Sequence, residues 1–177
     1  GIMQYCSEDI GVEKKNLYYK FSLRFGSLAN LVIGLVIVGF ALFIGRDNPE
    51  KARMLICMSL LPMTSFFSTF NHSVLRVNKK NNYYAYANVS GVLINVTTNL
   101  IVTRLIGVYG IIIATYITQT VNALVSQYFI NKHCPKVGDI SDFLTADEKK
   151  RFVKFSLICC ITNLTSSLLI LMDIPCV

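Results

Sequence analysis

The stretch that decides the fold is YYAYANVSGVLINVTTNLIVTRLIGVYGIIIATYITQTVNALVSQYFI, residues 83–130. It contains two apolar segments, 83–103 and 108–130, and each has the length of roughly 20 residues that crosses the hydrocarbon core of a bilayer. A short turn from Arg104 to Gly110 joins them. The pattern therefore predicts two antiparallel membrane helices connected by a tight turn.

Both segments carry polar residues at helical spacing, namely Asn88, Asn95 and Asn99 on the first, and Thr115, Gln119, Asn122 and Ser126 on the second. Steps of three, four or seven residues keep such side chains within roughly 60° on one helix face. Two interpretations remain open. Interhelical hydrogen bonds of about 0.6 kcal/mol each would explain one or two of these residues. A hydrated cavity explains an aligned set on adjacent helices better, so we expect cavity lining.

Three further segments have the length and apolar character of membrane spans: 25–44, 54–75 and 152–172. Hydrophobic residues make up 53% of the 177 residues and charged residues only 15%, which excludes an ordinary soluble domain. The predicted fold class is all-α, a polytopic transmembrane helix bundle with five spans. The chain begins with Gly1 and stops just past the fifth span, so we expect a fragment or a truncated form of a larger protein.

The basic residues lie in short segments beside the predicted spans and give a net charge of +7. When the spans alternate in direction, all of them fall on one side except Arg46, Lys51, Arg53 and Arg104. The positive-inside rule places the larger group in the cytoplasm. We interpret the charge as a topology signal and expect no nucleic-acid partner.

Local signals predict where helices begin and bend. Asn48 before Pro49 is typical of a helix start. Pro62 lies inside the second span and predicts a kink, because its ring removes one backbone hydrogen bond. Thr145 and Glu148 fit a capping box at the start of the helix that becomes the fifth span.

Other polar positions inside the spans have competing interpretations. Gly26, Asn30 and Gly34 recur at every fourth position, which favours close helix packing, although Asn30 is also a candidate for cavity lining. His72 is a candidate proton-coupling group, whereas Arg76 one turn away favours an interfacial histidine.

Asp173 is the acidic residue at the edge of a span, and it shares a helix face with Asn163. A carboxylate there requires hydration or a partner, so Asp173 is a charge or coupling candidate and Asn163 a cavity candidate. Asp173 at the outer interface in water is the equal alternative.

The six cysteines form no C-x-x-C motif and no metal-site spacing with histidine. The sequence has no H-E-x-x-H motif, no pair of intramembrane aspartates and no Ser/His pair at a catalytic spacing. We therefore expect no metal, no cofactor and no enzymatic activity. A membrane scaffold that transports nothing is a further alternative, which the aligned amides disfavour.

The run Asn95-Val-Thr-Thr-Asn99-Leu-Ile-Val-Thr-Arg-Leu-Ile-Gly107-Val-Tyr-Gly110-Ile-Ile-Ile-Ala114-Thr115 resembles the signature of the multidrug/oligosaccharidyl-lipid/polysaccharide flippase superfamily. Residues 1–22, with Gln4-Tyr5, resemble the connection entering the third helix of that fold. The run Arg151-Phe-Val-Lys-Phe-Ser156, followed by Asp173, resembles its seventh helix.

The resemblance implies helices three to seven of a fold with twelve or more. It implies three regions: part of the N-terminal lobe in residues 1–131, a cytoplasmic inter-lobe loop in 132–148, and the truncated first helix of the second lobe in 149–177. It further implies a multi-pass protein of the bacterial inner membrane.

Two branches of the superfamily fit. The chain looks more like the polysaccharide (O-antigen type) flippases, which move lipid-linked sugar repeats, because of the Asp173 ending and the Lys79-Lys80 loop before an Asn-rich helix. The alternative is a likeness to the multidrug and toxin extrusion antiporters, which exchange cations for small amphipathic drugs. Arg24, Arg76 and Arg104 are candidates for attracting a diphosphate. The resemblance leaves H+ or Na+ as candidate coupling ions, and the implied partners are a lipid-linked glycan and the bilayer.

Overall fold

The computed structural model describes residues 2–7, 11–45, 48–134 and 144–173, with side chains described as far as Cys159. Every regular element in these ranges is an α-helix, which confirms the all-α prediction. The helices are α1 (Ile2–Ser7), α2 (Val12–Ile44), α3 (Pro49–Met58), α4 (Leu61–Val77), α5 (Asn81–Ile106), α6 (Val108–His133) and α7 (Ala146–Asp173).

Within the described part of the chain, four helical stretches are long and apolar enough to cross a membrane: Val12–Ile44, Pro49–Val77, Asn81–Ile106 and Val108–His133. Large apolar side chains are exposed along three of them, as Leu35, Leu93 and Leu124 illustrate, whereas in Pro49–Val77 the exposed ones are Ile56, Met58 and Leu60. Such surfaces are unusual in soluble monomers and are what hydrocarbon-facing helices require. The helix predicted for 152–172 exists as part of α7, while its crossing of the membrane stays a prediction.

The chain forms two compact units. The first takes its residues from 1–18 and 137–177, and the second comprises residues 19–136. In the second unit α6 packs along both α5 and α4, with its small residues Gly110, Ala114 and Ser126 buried. The division into two units reflects only which residues pack together. The lobes expected at 1–131 and 149–177 therefore stay a prediction.

Two glycines bring α2 close to its neighbours in the second unit. A Cβ added at Gly34 would lie 2.7 Å from the carbonyl oxygen of Ser59, and one added at Gly26 would collide with the ring of Phe66. Both positions therefore need glycine for close approach. This confirms the packing interpretation of the Gly26, Asn30 and Gly34 spacing.

The predicted single second span is interrupted. α3 ends at Met58, Ser59 and Leu60 form a turn, and α4 begins at Leu61. Pro62 lies in the first turn of α4, where its missing N–H has no helical partner to lose. The irregularity expected at Pro62 is thus an interruption of the helix two to three residues earlier, at Ser59 and Leu60.

The turn between α5 and α6 is tighter than expected from its sequence, because Gly107 alone separates the two helices. The backbone φ of Gly107 is 67°, an angle that residues other than glycine rarely adopt. Gly110 then packs on α5, since a Cβ there would lie 2.6 Å from the Val102 carbonyl oxygen. Gly107 is therefore required by its backbone conformation and Gly110 by close packing.

The helix starts predicted from capping signals are confirmed. The Asn48 side chain accepts a hydrogen bond from the Lys51 N–H at 3.3 Å, and Pro49 begins α3. At α7 the Thr145 hydroxyl accepts from the Glu148 N–H at 3.4 Å, while Glu148 accepts from the Thr145 N–H at 3.1 Å. The second pair is a reciprocal capping box.

Candidate functional site

The polar residues predicted on α5 are in two different environments. Asn88 is exposed. Asn95 and Asn99 are half-buried, and the Asn99 amide donates a hydrogen bond to the Asn95 side-chain oxygen. This pairing lets two amides lie on a membrane helix at a reduced desolvation cost.

The polar residues predicted on α6 differ in burial, since Asn122 is half-buried like Thr115 and Gln119 whereas Ser126 is fully buried. Thr115 and Gln119 are half-buried, and the Thr115 hydroxyl donates to the Ile111 carbonyl at 2.8 Å. Asn122 packs against Gly91 of α5, where any Cβ would overlap its amide. Ser126 is fully buried. Asn122 and Ser126 therefore lie inside the helix packing rather than at its surface.

Among the described residues, four buried side-chain atoms have no hydrogen-bond partner: His72 Nε2, Thr103 Oγ1, Asn122 Oδ1 and Ser126 Oγ. An unsatisfied buried polar atom costs about 1–3 kcal/mol. Proteins normally satisfy such atoms with protein groups or ordered water. These four atoms on α4, α5 and α6 are therefore the groups whose hydrogen bonding the described residues leave incomplete.

A groove at the end of α5 brings together a residue predicted to line a cavity and a residue predicted to attract phosphate. Its lining residues are Asn99, Leu100, Thr103 and Arg104 of α5, with Ile111 of α6 across the turn. Its volume is about 410 Å³, and it is open to its surroundings. The structure thus brings a cavity candidate, Asn99, next to a phosphate candidate, Arg104.

His72 lies between helices α4 and α5. Its ring meets Tyr84 edge-on, with centroids 5.2 Å apart and planes at 89°. The Arg76 guanidinium lies over the same Tyr84 ring, 5.4 Å from its centroid. The Arg76 cation over Tyr84 and the unpartnered His72 nitrogen beside it create a polar junction at this end of the bundle.

Sequence reasoning missed two residues that link the helices. The buried amide of Asn71 donates from Nδ2 to the Ala123 carbonyl at 2.9 Å, which ties α4 to α6. The Tyr116 hydroxyl donates to the Cys57 carbonyl at 2.7 Å, next to the break between α3 and α4. The last carbonyls of a helix lack helical partners, so Tyr116 satisfies one of them. The residues three and four positions away on the helix include Phe67, Val74 and Leu75, and this apolar face was the available signal of its burial.

The remaining candidates lie elsewhere. Asn30 donates from Nδ2 to the Gly26 carbonyl at 2.8 Å and lines a separate cavity of about 150 Å³ near Ser59. Arg24 is exposed. Asn163 and Asp173 belong to α7, and their side chains lie outside the described residues.

The first compact unit contains an aromatic cluster and an ion pair. The Tyr5 ring contacts Tyr18, Phe152 and Phe155 with centroids 5.5–5.7 Å apart. The Lys14 ammonium and the Glu148 carboxylate are 2.8 Å apart, and this hydrogen bond, helped by the Thr145 N–H, lowers the pKa of Glu148.

The buried cysteine of the first unit has the properties of an inert thiol. Burial raises the pKa of the Cys6 thiol to about 11. A thiol with so high a pKa stays protonated at neutral pH and is a poor nucleophile. In the part of the chain that the structure describes, no group of three or more His, Cys, Asp or Glu residues is placed to hold a metal.

Helix length, exposed apolar faces and internal polar atoms together define the class: an α-helical membrane protein built as a helix bundle. No protein-family model, curated protein or solved structure matches the chain. Function therefore has to be inferred from the residues themselves.

Proposed function

We propose that this chain is part of a transporter of the multidrug/oligosaccharidyl-lipid/polysaccharide flippase type, which moves a lipid-linked oligosaccharide across the bacterial cytoplasmic membrane. Such transporters rock between inward-open and outward-open states around a central hydrated cavity. The observation that carries the proposal is the half-buried, mutually bonded amide pair Asn95 and Asn99 on α5, and the unpartnered Asn122 Oδ1 and Ser126 Oγ on α6 add polar atoms to the same helix pair. The signature-like run 95–115 on the same helix pair adds support.

The amide stripe suits a sugar head group. Amides offer both donors and acceptors, and sugar hydroxyls need both, whereas the polyprenyl tail needs only hydrocarbon. Asn95 and Asn99 are half-buried and bonded to each other, so a sugar hydroxyl can replace that mutual bond without leaving either amide unsatisfied. In this role they bind substrate weakly and exchange it readily.

A deletion and point variants of the full-length gene test this function. Loss of the gene should leave lipid-linked repeats on the cytoplasmic leaflet and deplete the surface polysaccharide. Asn99→Leu should lower transport while the protein still inserts, since Leu favours membrane insertion. Asn131→Leu, which changes an exposed amide away from the stripe, is the matched control. Normal surface glycan in the deletion strain would contradict the proposal.

A drug/cation antiporter of the same superfamily is the second candidate, and His72 is the observation that favours it. An ionisable side chain inside a predicted membrane span with an unpartnered buried nitrogen is a candidate for proton coupling. The deletion strain separates the two functions. New sensitivity to cationic dyes with unchanged surface glycan identifies the antiporter.

A further inference from the structure

We propose that the groove formed by Asn99, Leu100, Thr103, Arg104 and Ile111 binds a bilayer lipid with an anionic, phosphate-bearing head group. The lipid would be a resident of the protein surface rather than the transported molecule. The inference holds whether or not the protein moves a glycan.

The walls of the groove match an acyl chain. Leu100 and Ile111 are 60% and 49% exposed, and both lie on helices apolar enough to cross a membrane. The groove is open rather than enclosed, so a chain in the surrounding bilayer has direct access to it. A soluble anion would gain nothing from these apolar walls.

The charge of the groove selects the head group. Arg104 is exposed, lies in the last turn of α5 and carries the only formal charge in the lining. A guanidinium near hydrocarbon is costly unless an anion partners it, and its planar donors match phosphate oxygens. The Asn99 amide of the same groove already donates to Asn95, so the head-group contact is assigned to Arg104. A zwitterionic lipid carries no net negative charge and would balance the charge of Arg104 less well.

The position of Arg104 also suits the head-group layer. α5 has 26 residues, so it is about 39 Å long and extends beyond a hydrocarbon core of about 30 Å. Arg104 is three residues before the Gly107 turn, at the end of this helix. The guanidinium is thus where phosphate groups lie, while Leu100, one turn deeper, is where acyl chains begin.

The sequence contains no tryptophan, so a single introduced tryptophan is the only source of tryptophan fluorescence in the chain. Leu100→Trp is made in the intact chain, reconstituted in nanodiscs, and its fluorescence is quenched with brominated phosphatidylglycerol or brominated phosphatidylcholine. Leu93→Trp is the matched position, because Leu93 lies two turns away on the same face of α5 and is 64% exposed. We expect about fivefold preference for the anionic lipid at Leu100→Trp, as one Arg at an anionic surface provides, and none at Leu93→Trp.

Charge variants assign the preference to the groove. Arg104→Gln added to Leu100→Trp should remove it, and Arg104→Lys should retain part of it. Arg53→Gln, which removes an exposed arginine on α3, should leave it unchanged. Equal quenching by both lipids at Leu100→Trp, or a preference that survives Arg104→Gln, would overturn the proposal. Displacement of the quenching lipid by millimolar inorganic pyrophosphate would instead identify a soluble-phosphate site and also overturn it.

Discussion

The Asn71 amide on α4 donates a hydrogen bond to the Ala123 carbonyl on α6 at 2.9 Å, across 52 positions of sequence. Asn71 is 6% exposed, and its neighbours Phe70 and Val74 are buried with it. In a membrane bundle, helices have no hydrophobic drive to associate with each other rather than with lipid, so packing and bonds of this kind hold them together. The Asn71 amide therefore anchors α6 against α4.

Replacing Asn71 with Leu should weaken this contact modestly. We expect the free energy of unfolding to fall by about 0.6 kcal/mol, with an upper bound near 1.7, as for other interhelical hydrogen bonds in membranes. Denaturant titration of the detergent-solubilised chain measures it, with Asn131→Leu at an exposed site as the control. An unchanged or increased stability would show that the Asn71 bond contributes nothing.

The contact between Gly91 and Asn122 predicts a paired variant effect. Gly91→Leu should separate α5 from α6, because its side chain overlaps the Asn122 amide, and we expect a loss of about 1–3 kcal/mol from overpacking. Asn122→Ala in the same chain should restore part of that loss. Gly39→Leu is the control, since nothing lies within 4 Å of a Cβ there. Equal effects at Gly39 and Gly91 would contradict the packing.

A substitution at Gly107 tests the effect of backbone strain separately from that of steric overlap. No atom lies within 4 Å of a Cβ at this position, yet its φ is 67°. Gly107→Ala should therefore destabilise the α5–α6 turn by about 1–3 kcal/mol through conformation alone. Gly11→Ala, equally free of neighbours and without a positive φ, should have little effect in the same unfolding assay.

The Lys14–Glu148 ion pair predicts a pH dependence within the first compact unit. The pKa of Glu148 is lower in the folded protein than its unfolded value near 4.5. The ionised carboxylate therefore adds stability above the unfolded pKa, and this contribution is lost as pH falls through the folded pKa. Both partners are exposed enough that the contribution is small.

Carboxyl NMR on labelled glutamate gives the direct measurement. Lys14→Met should raise the pKa of Glu148 towards its ordinary value, because the largest cause of its lowering is removed. The neighbouring change Lys15→Met serves as the control. A pKa of Glu148 that does not respond to Lys14→Met would show that the ion pair is absent in solution.

Signals that operate over three or four residues predict much of the fold. Asn48 and Thr145 start helices because capping needs only the next turn, and Gly107 turns the chain because only glycine adopts its φ without strain. The sequence predicts an irregularity at Pro62, but the helix is interrupted earlier, at Ser59 and Leu60. The reason is that proline is tolerated in the first turn of a helix, and Pro62 lies in the first turn of α4.

Contacts between distant residues were beyond such signals. The partner of Tyr116 is Cys57, 59 positions away, and no periodicity in either segment points to the other. Asn99 and Arg104 are about 140° apart around α5 by helical geometry, so their shared groove was not expected. Ile111 completes that groove only because the Gly107 turn folds α6 back.

The central claim is that the amide face of α5 meets water inside a transporter, and cysteine accessibility tests it most directly. Asn95→Cys and Asn99→Cys are made in full-length protein whose native cysteines are replaced, and membranes are treated with a charged, membrane-impermeant thiol reagent. Leu93→Cys, on the opposite, apolar side of α5 and 64% exposed, is the lipid-facing control. We predict that both asparagine positions react while the Leu93 position does not, because only a hydrated thiol ionises and meets the reagent. No reaction at either asparagine position, or equal reaction at all three, would contradict the account.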